Sequence, residues 1–128
     1  MKCLKLYFLT VIVTICILIL SLFPVPEMPE LEDVPLIDKW VHFVMYGGFL
    51  IALWADWVRK GKRPRFLESF LSLVWGCILG GLIEIIQPYV GRSGDVWDFV
   101  ADAIGCVLGF LIGLAAVRLF PRLYKDRS

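Results

Sequence analysis

LYFLTVIVTICILILSLFPVP, residues 6–26, decides the fold, because it is the longest stretch of this chain without a charged side chain. Its twenty-one residues can cross the hydrocarbon core of a bilayer, about 30 Å thick, as a helix. Three shorter uncharged runs of about fifteen residues follow, and each reaches spanning length only if a charged end residue joins the helix. The sequence therefore predicts an all-α membrane protein, a four-helix transmembrane bundle in a single domain (residues 1–128), with spans at about 5–23, 39–57, 67–87 and 97–119.

The composition agrees with a protein of the membrane. Hydrophobic residues make up 59% of the 128 residues, and the mean hydropathy is +0.80. A soluble domain is normally closer to half apolar and a quarter charged. A soluble bundle with greasy helices is the alternative, but each run is apolar on all faces rather than along one stripe. The composition thus argues against a soluble fold.

Basic residues are distributed unequally between the two sides of the predicted bundle. Eleven of the thirteen Lys and Arg residues lie in the N-terminus, the 59–65 loop and the C-terminal tail, whereas Lys39 and Arg92 lie in the other two loops. Basic residues of short loops stay in the cytoplasm. We therefore expect both termini and the 59–65 loop to be cytoplasmic, with the first and third loops facing outward.

The first span has a second interpretation, as a cleaved signal peptide. It has a basic start and an apolar core, but the core from 6 to 23 is longer than usual and no Ala-x-Ala-like cleavage site follows it. We expect a retained helix. Prolines cannot continue a helix and restrict the residue before them. The residues expected to end this helix and stiffen the loop are Pro24, Pro26, Pro29 and Pro35.

Polar side chains recur at helical spacing near one end of the second, third and fourth spans. Residues three or four apart share a face of a helix, so each span presents one polar column. In an antiparallel arrangement the three columns meet at the outward end of the bundle. The predicted polar cleft consists of Asp38, Lys39, His42 and Tyr46 in the second span, Glu84 and Gln87 in the third, Asp95, Asp98 and Asp102 in the fourth, and Arg92 in the turn between the last two spans.

Such groups are costly inside a membrane. A carboxylate in a span costs roughly 2.5–3.5 kcal/mol at the bilayer centre and less near the interface, so it faces the protein interior or a wet cavity. One interpretation is a network that only locks the helices together, with Arg92 and His42 as counter-ions. The other, which we favour because helix locking needs only one or two polar contacts, is an outward-opening cleft. Its carboxylates repel one another, so Arg92, His42, Lys39, shared protons or a cation must balance them.

Glycines at four-residue spacing continue two of the polar columns. Small residues at this spacing let membrane helices approach closely. The two glycine columns are Gly76 and Gly80 above Glu84, and Gly105, Gly109 and Gly113 below Asp102. We expect the third and fourth helices to pack face to face there. The alternative use of such a column is the seam of a homodimer.

Three motifs in this order resemble those of VanZ-like proteins. The motifs are Asp38-Lys39-x-x-His42-Phe43, Glu84-x-x-Gln87 followed by Arg92, and Asp98-x-x-x-Asp102-x-x-Gly105. The resemblance covers about residues 34–113, and it departs from the family where Asp102 stands in place of a frequent Asn. It implies a small protein of the bacterial cytoplasmic membrane. The family's name member is associated with low-level resistance to the glycopeptide teicoplanin.

Three classes of function stay open. The first, which we favour, is an envelope protein whose cleft binds a lipid-linked or cell-wall polar group, so that its partners are membrane lipids and a lipid-linked cell-wall precursor or a glycopeptide. The second is a membrane-embedded hydrolase or transferase, in which His42, Glu84, Asp98 and Asp102 bind a divalent cation or act as acid and base. The third is a structural or assembly factor.

The sequence assigns no catalytic residue, cofactor or metal site, and it leaves open whether the protein is an enzyme. It contains one histidine, and Ser93 has no G-x-S-x-G frame around it. Four cysteines lack the spacing of metal ligands, and we interpret them as small packing residues: Cys3, Cys16, Cys77 and Cys106. Topology alone explains the basic 59–65 loop, and we expect no binding of nucleic acid.

Overall fold

The computed structural model describes residues 5–23, 36–92 and 94–124. Over these residues it contains four α-helices and no strand. The α-helices are α1 (Phe8–Leu22), α2 (Ile37–Arg59), α3 (Phe66–Ile86) and α4 (Val96–Leu119); short 3-10 helices follow α3 (Gln87–Val90) and α4 (Pro121–Tyr124). The predicted proline series of the first loop, Cys3 and Ser93 lie outside the described residues.

The prediction of an all-helical, membrane-type fold is confirmed. Three of the described helices are long and apolar enough to cross a membrane: Ile37–Arg59, Phe66–Val90 and Val96–Leu119. Helix α1 is also apolar but has only 15 residues, or about 22 Å at 1.5 Å per residue. It is therefore shorter than the about 20 residues that span a hydrocarbon core, although the uncharged run that contains it is long enough.

Helix α2 lies at the centre of the bundle and supplies most of its core. Tyr46, Phe49 and Leu50 of α2 are buried together with Ile83 of α3 and Cys106 of α4. Ile17 of α1 belongs to the same cluster. Apolar side chains of all four helices pack against one another and exclude lipid from the core. This packing fixes where each helix lies relative to the polar residues described below.

The glycines of α4 face α2 rather than α3, which corrects the sequence prediction. A Cβ on Gly105 would meet the backbone carbonyl of Phe43, and one on Gly109 would lie 2.7 Å from the Cβ of Leu50. A Cβ on Gly113 would collide with the Trp54 ring. The glycine column of α4 is thus filled by α2 of the same chain. It does not provide the free surface that the alternative of a homodimer seam requires.

The glycines of α3, in contrast, do face α4 as expected. A Cβ on Gly76 would lie 2.7 Å from the sulfur of Cys106, and one on Gly80 would lie 2.8 Å from Oδ2 of Asp102. Helix α4 therefore packs between α2 and α3 and uses a different face for each. The spacing of the glycines predicted that one face of α4 packs closely against a neighbouring helix. The rotation of α4 about its axis decides that this neighbour is α2.

Both ends of α1 are held by side chains from elsewhere in the chain. Asp56 of α2 is completely buried and accepts hydrogen bonds from the amides of Leu9 (3.3 Å) and Thr10 (2.9 Å), and from the Thr10 hydroxyl (2.8 Å). The first amides of a helix lack partners within the helix, so a carboxylate there is stabilising. At the other end, Arg92 donates to the carbonyls of Leu20 (3.3 Å) and Phe23 (2.9 Å).

Candidate functional site

One end of the bundle, where α1 and α3 end and α2 and α4 begin, holds a group of ionisable side chains. We call this group the polar cluster; its members are Lys39 and His42 of α2, Glu84 of α3, and Asp95, Asp98 and Asp102 at the start of α4. The cluster arises because a helical register places Lys39 above His42 and Asp98 above Asp102, and the two helices lie side by side. The short turn after α3 brings Glu84 to the same level.

His42 is the central residue of the polar cluster. It is buried, and its ring faces carboxylates on two other helices. The Nδ1 atom lies 2.8 Å from Oδ1 of Asp102 and 3.8 Å from Oε1 of Glu84. The Nε2 atom lies 3.5 Å from Oδ2 of Asp98. The two nitrogens therefore face different carboxylates: Nδ1 faces Asp102 and Glu84, and Nε2 faces Asp98.

Lys39 and Asp95 form the more exposed rim of the cluster. The Lys39 ammonium lies 2.7 Å from Oδ2 of Asp95 and 2.9 Å from Oδ1 of Asp98. Asp95 is the N-cap of α4, and its Oδ1 accepts a hydrogen bond from the Trp97 amide at 2.9 Å. Hydrogen bonds from Lys39 and Trp97 hold the pKa of Asp95 below its ordinary value, since both favour the ionised carboxylate.

Asp95 also joins the rim to the interior of the cluster. Its backbone amide donates to Oε2 of Glu84 at 3.0 Å. The same residue thus contacts α2 through Lys39, α3 through Glu84 and the first turn of α4 through its cap. This arrangement orients Glu84 so that Oε2 is hydrogen-bonded and Oε1 points toward His42.

Several buried oxygens of the cluster lack a hydrogen-bond donor among the described residues. They include Oδ2 of Asp102, which belongs to a fully buried side chain, and Oε1 of Glu84. The phenol oxygen of Tyr46, one turn below His42, is also buried without a partner and lies within electrostatic range of Asp102 and Glu84. Buried polar atoms are normally paired, so this set points to a missing partner.

Glycine allows Asp102 to enter this crowded position. A Cβ on Gly80 would lie 2.8 Å from Oδ2 and 3.2 Å from Cβ of Asp102. Side-chain Cβ atoms do not normally approach neighbours so closely. The absence of a side chain at position 80 therefore makes the room that the Asp102 carboxylate occupies between α3 and α4.

Not every predicted cleft residue joins the polar cluster. Asp38 is exposed and makes no hydrogen bond or ion pair with the described part of the chain. Tyr46 packs in the apolar core. Gln87 is buried, and its Nε2 donates to the carbonyl of Ser21 in α1 at 3.1 Å. Asp38, Tyr46 and Gln87 thus flank the cluster or support it.

Arg92 was predicted as a counter-ion of the carboxylates, and the structure corrects this. Its guanidinium donates to the carbonyls of Leu20 and Phe23 at the C-terminal end of α1. The last carbonyls of a helix lack partners within the helix and carry partial negative charge, so they attract a guanidinium. The carboxylates are consequently left with Lys39 and His42 as the described basic groups in contact with them.

An apolar groove of about 570 Å³ runs along the outside of α3 and α4, close to the polar cluster. Its walls include Cys77, Gly81 and Ile85 of α3 together with Phe99 and Val107 of α4. Ile85 follows Glu84 in the chain, and Phe99 follows Asp98. One end of the groove therefore lies beside the residues that carry the carboxylates.

The structure adds two features to what the sequence predicted. The first is Asp56 of α2, for which the sequence indicated no role and which holds the start of α1. The second is that His42, Glu84 and Asp102 each offer a ligand atom, and these atoms lie within 4.8 Å of one another. The sequence indicated a divalent cation only as one alternative, on a set that also includes Asp98, because these residues come from three helices and have no characteristic metal-ligand spacing.

Comparison with known proteins places this geometry in a family. A family model described as VanZ/LLP1 matches residues 7–118. An uncharacterized protein of the fission yeast Schizosaccharomyces pombe is 35% identical over 91 residues, which are 70% of this chain and 51% of the yeast protein. The chain thus spans about half the length of that relative. No solved structure matches.

Proposed function

We propose, from the premise that this chain belongs to the VanZ/LLP1 family, that its polar cluster binds the polar group of a lipid or lipid-linked molecule through that group's hydroxyl or ammonium donors. The single observation that carries the proposal is the surplus of buried acceptor atoms around His42. Because the loops rich in Lys and Arg stay in the cytoplasm, the proposal places the polar cluster at the outer side of the cytoplasmic membrane.

The charges of the cluster support a ligand with donors. Its members carry four carboxylates, against one ammonium and one imidazole. Lys39 is already shared between Asp95 and Asp98, and Arg92 is bound to α1. The cluster therefore lacks hydrogen-bond donors rather than acceptors. An N–H or O–H of a ligand would pair with Oε1 of Glu84 or Oδ2 of Asp102, both of which lack a donor among the described residues.

The surroundings of the cluster support a ligand that is anchored in the membrane. The carboxylates lie at one end of three apolar helices, and the apolar groove along α3 and α4 extends to Ile85 and Phe99, the chain neighbours of Glu84 and Asp98. A molecule with an acyl or isoprenoid chain in the bilayer would place its polar group at this level. The relative in a yeast favours a polar group that is not confined to bacteria. A cell-wall precursor or a glycopeptide is the narrower form of the same proposal.

A pair of headgroups with the same charge, only one of which has N–H donors, tests the proposal. Phosphatidylethanolamine carries an ammonium with N–H donors, whereas phosphatidylcholine has the same phosphate and charge but no donor. The purified protein should bind short-chain phosphatidylethanolamine more tightly, as measured by the shift of its thermal unfolding midpoint. Glu84→Gln and Asp102→Asn should each reduce this preference. Glu68→Gln, at the distant end of α3, is the matched control.

Equal binding of the two lipids by the unsubstituted protein would contradict the proposal. So would a preference that survives both Glu84→Gln and Asp102→Asn. A loss of preference that also appears in Glu68→Gln would reflect general destabilisation, and it would count against a specific site. The control is suitable because Glu68 pairs with Lys62 and caps α3, far along the helix from Glu84.

A membrane-embedded hydrolase acting on a lipid-linked substrate is the second candidate. The observation that favours it is the buried imidazole of His42 held between Asp98 on one nitrogen and Asp102 on the other. A histidine oriented in this way can accept a proton from water and pass it on. Incubation with phosphate-labelled membrane lipids should then release water-soluble label. His42→Gln should stop the release, and label that stays in the organic phase would reject this candidate.

A further inference from the structure

We infer that His42, Glu84 and Asp102 form a binding site for one divalent transition-metal ion. One nitrogen and two carboxylate oxygens from these residues lie within 4.8 Å of one another. Metal–ligand distances of about 2.0–2.2 Å separate neighbouring ligands by roughly 3.5 Å in a tetrahedral site. Small side-chain rotations would therefore bring the three atoms into position. This inference concerns the same two carboxylates as the proposed function but needs no lipid, and the ion and a ligand donor are alternative partners for their unpaired oxygens.

The two nitrogens of His42 support different roles. Nδ1 faces both proposed carboxylate ligands, at 2.8 Å from Asp102 and 3.8 Å from Glu84. Nε2 faces Asp98 at 3.5 Å. Histidines that bind metal commonly donate their other N–H to a carboxylate, which fixes the tautomer and the ring orientation. Nδ1 is then the ligand, and Asp98 is a positioning residue that acts through the ring.

The unpaired oxygens provide an independent reason to expect an ion. Oε2 of Glu84 is already engaged by the Asp95 amide, whereas Oδ1 of Asp102 faces Nδ1 of His42 at 2.8 Å, a contact that an ion bound to Nδ1 would replace. The second oxygen of each is buried and has no hydrogen-bond donor among the described residues. The Asp102 side chain is 0% exposed. Unpaired carboxylates are expensive in a membrane, and a divalent ion held by one oxygen of each residue would compensate the charge of both.

The donor set indicates the class of ion. One imidazole and two carboxylates suit the first-row ions from Mn²⁺ to Zn²⁺, whereas Ca²⁺ and Mg²⁺ prefer sites made of oxygen alone. Three protein ligands leave at least one further position for water or a ligand oxygen. Lys39 does not compete for this place, because its ammonium is held at the rim by Asp95 and Asp98.

Zinc binding by the full-length protein in detergent tests the inference. The protein is stripped with a chelator, equilibrated with Zn²⁺ alone and analysed for bound metal and for thermal stability. We expect one Zn²⁺ per chain and a higher unfolding midpoint. His42→Gln, Glu84→Gln and Asp102→Asn should each abolish the stoichiometric binding. Asp98→Asn should weaken it by about tenfold, as expected for a residue that orients a ligand.

Two controls distinguish this site from other zinc ligands. Glu68→Gln removes a carboxylate elsewhere on α3 and should bind Zn²⁺ like the unsubstituted protein. Cys77→Ser with Cys106→Ser removes the thiols nearest the site, which lie one turn below Asp102, and should also leave binding unchanged. Gln and Asn preserve the size of the side chains they replace. A metal-free substituted protein whose thermal unfolding midpoint lies within a few degrees of that of the metal-free unsubstituted protein is therefore folded.

The inference is overturned if the stripped protein takes up no stoichiometric Zn²⁺, or if uptake persists in both Glu84→Gln and Asp102→Asn. It is also overturned if the cysteine substitutions remove the binding. Failure here is separable from failure of the proposed function. If the protein binds no Zn²⁺ but still prefers phosphatidylethanolamine, the metal site is rejected and the lipid site stands. If it binds Zn²⁺ but shows no headgroup preference, the lipid site is rejected and the metal site stands.

Discussion

His42 of α2 and Asp102 of α4 are sixty residues apart in the chain, yet Nδ1 and Oδ1 of the two side chains lie 2.8 Å apart in the interior. Asp102 is completely buried, and His42 is 7% exposed. This contact joins the two most intimately packed helices of the bundle. It also gives the buried carboxylate of Asp102 a partner from another helix.

Removing the His42 imidazole alone should lower the free energy of unfolding more than removing the imidazole together with the charge of Asp102. His42→Ala leaves Asp102 buried without its partner, and breaking one side of a buried ion pair costs about 3 kcal/mol or more. The double substitution His42→Ala with Asp102→Asn removes the charge as well and should recover most of that loss. Unfolding in mixed detergent micelles measures the free energies. Additive losses in the double variant would show that the two residues do not interact.

Glu84→Gln distinguishes a structural role of the cluster from a functional one. The amide retains an acceptor for the Asp95 N–H and nearly the same size, but it removes the charge. If Glu84 only ties helices together, stability should be unchanged or higher, because a buried carboxylate is costly. If it belongs to a binding or catalytic site, the protein should stay folded and lose its activity.

The readouts for Glu84→Gln are thermal stability in detergent and complementation of a deletion strain. Sensitivity to a glycopeptide is the first phenotype to measure, as the resemblance to VanZ-like proteins suggests. A folded variant that complements the deletion completely would reject a functional role for Glu84. The polar cluster would then be interpreted as a structural network that only holds the helices together.

Gly105→Ala should destabilise the bundle strongly, with Gly48→Ala as its matched control. A methyl group on Gly105 would meet the backbone of Phe43 and Gly47, which cannot rotate away. Overpacking of this kind costs about 1–3 kcal/mol. A Cβ on Gly48 meets nothing within 4 Å, so alanine there should be neutral or stabilise by up to about 1 kcal/mol through helix propensity. Equal midpoints for the two variants would contradict the packing of α2 on α4.

Asp95→Asn should reveal an acid-dependent contribution of the rim. Asparagine still caps α4, but it loses the charge that pairs with Lys39. The pKa of Asp95 is lowered in the folded protein. Its stabilisation is therefore present above the unfolded pKa of about 3.9 and is lost as the pH falls through the lower folded value. The unfolding midpoint should be modestly lower than that of the unsubstituted protein at pH 7, and the difference should vanish in stronger acid.

A difference between the two midpoints that stays constant down to the acid limit would contradict this assignment. The comparison is made between the two proteins at each pH, so that other carboxylates titrating in the same range cancel. The Asp95 side chain is 39% exposed, so solvent screens its pairing with Lys39 and a modest effect is expected.

Cysteine labelling tests the orientation. In a background without the four native cysteines, a single thiol placed at Glu30 should react with an impermeant reagent added to whole cells. A thiol placed at Lys62, in the basic loop, should react only after lysis. The physical reason is that basic residues of short loops are retained in the cytoplasm. The reverse pattern would invert the bundle, and the polar cluster would then face the cytoplasm.

The sequence by itself determined the properties that depend on residues near one another in the chain. Uncharged runs of sufficient length predicted the apolar helices, because burial of the backbone in lipid requires an internally hydrogen-bonded segment. Periodicity placed Asp38 and Tyr46 in one column with His42, and Asp98 in one column with Asp102. The motifs indicated the family that the comparison confirms over residues 7–118.

Only the tertiary structure decided which partners meet. The rotation of each helix about its axis and its depth in the bundle are set by packing between helices, and neither is encoded in the spacing along one helix. For this reason Gly105 and Gly113 face α2 and not α3, and Arg92 binds the end of α1 instead of the carboxylates. The same packing brings His42, Glu84 and Asp102 within reach of one ion, because their helices converge only after α2, α3 and α4 have buried their apolar faces against one another.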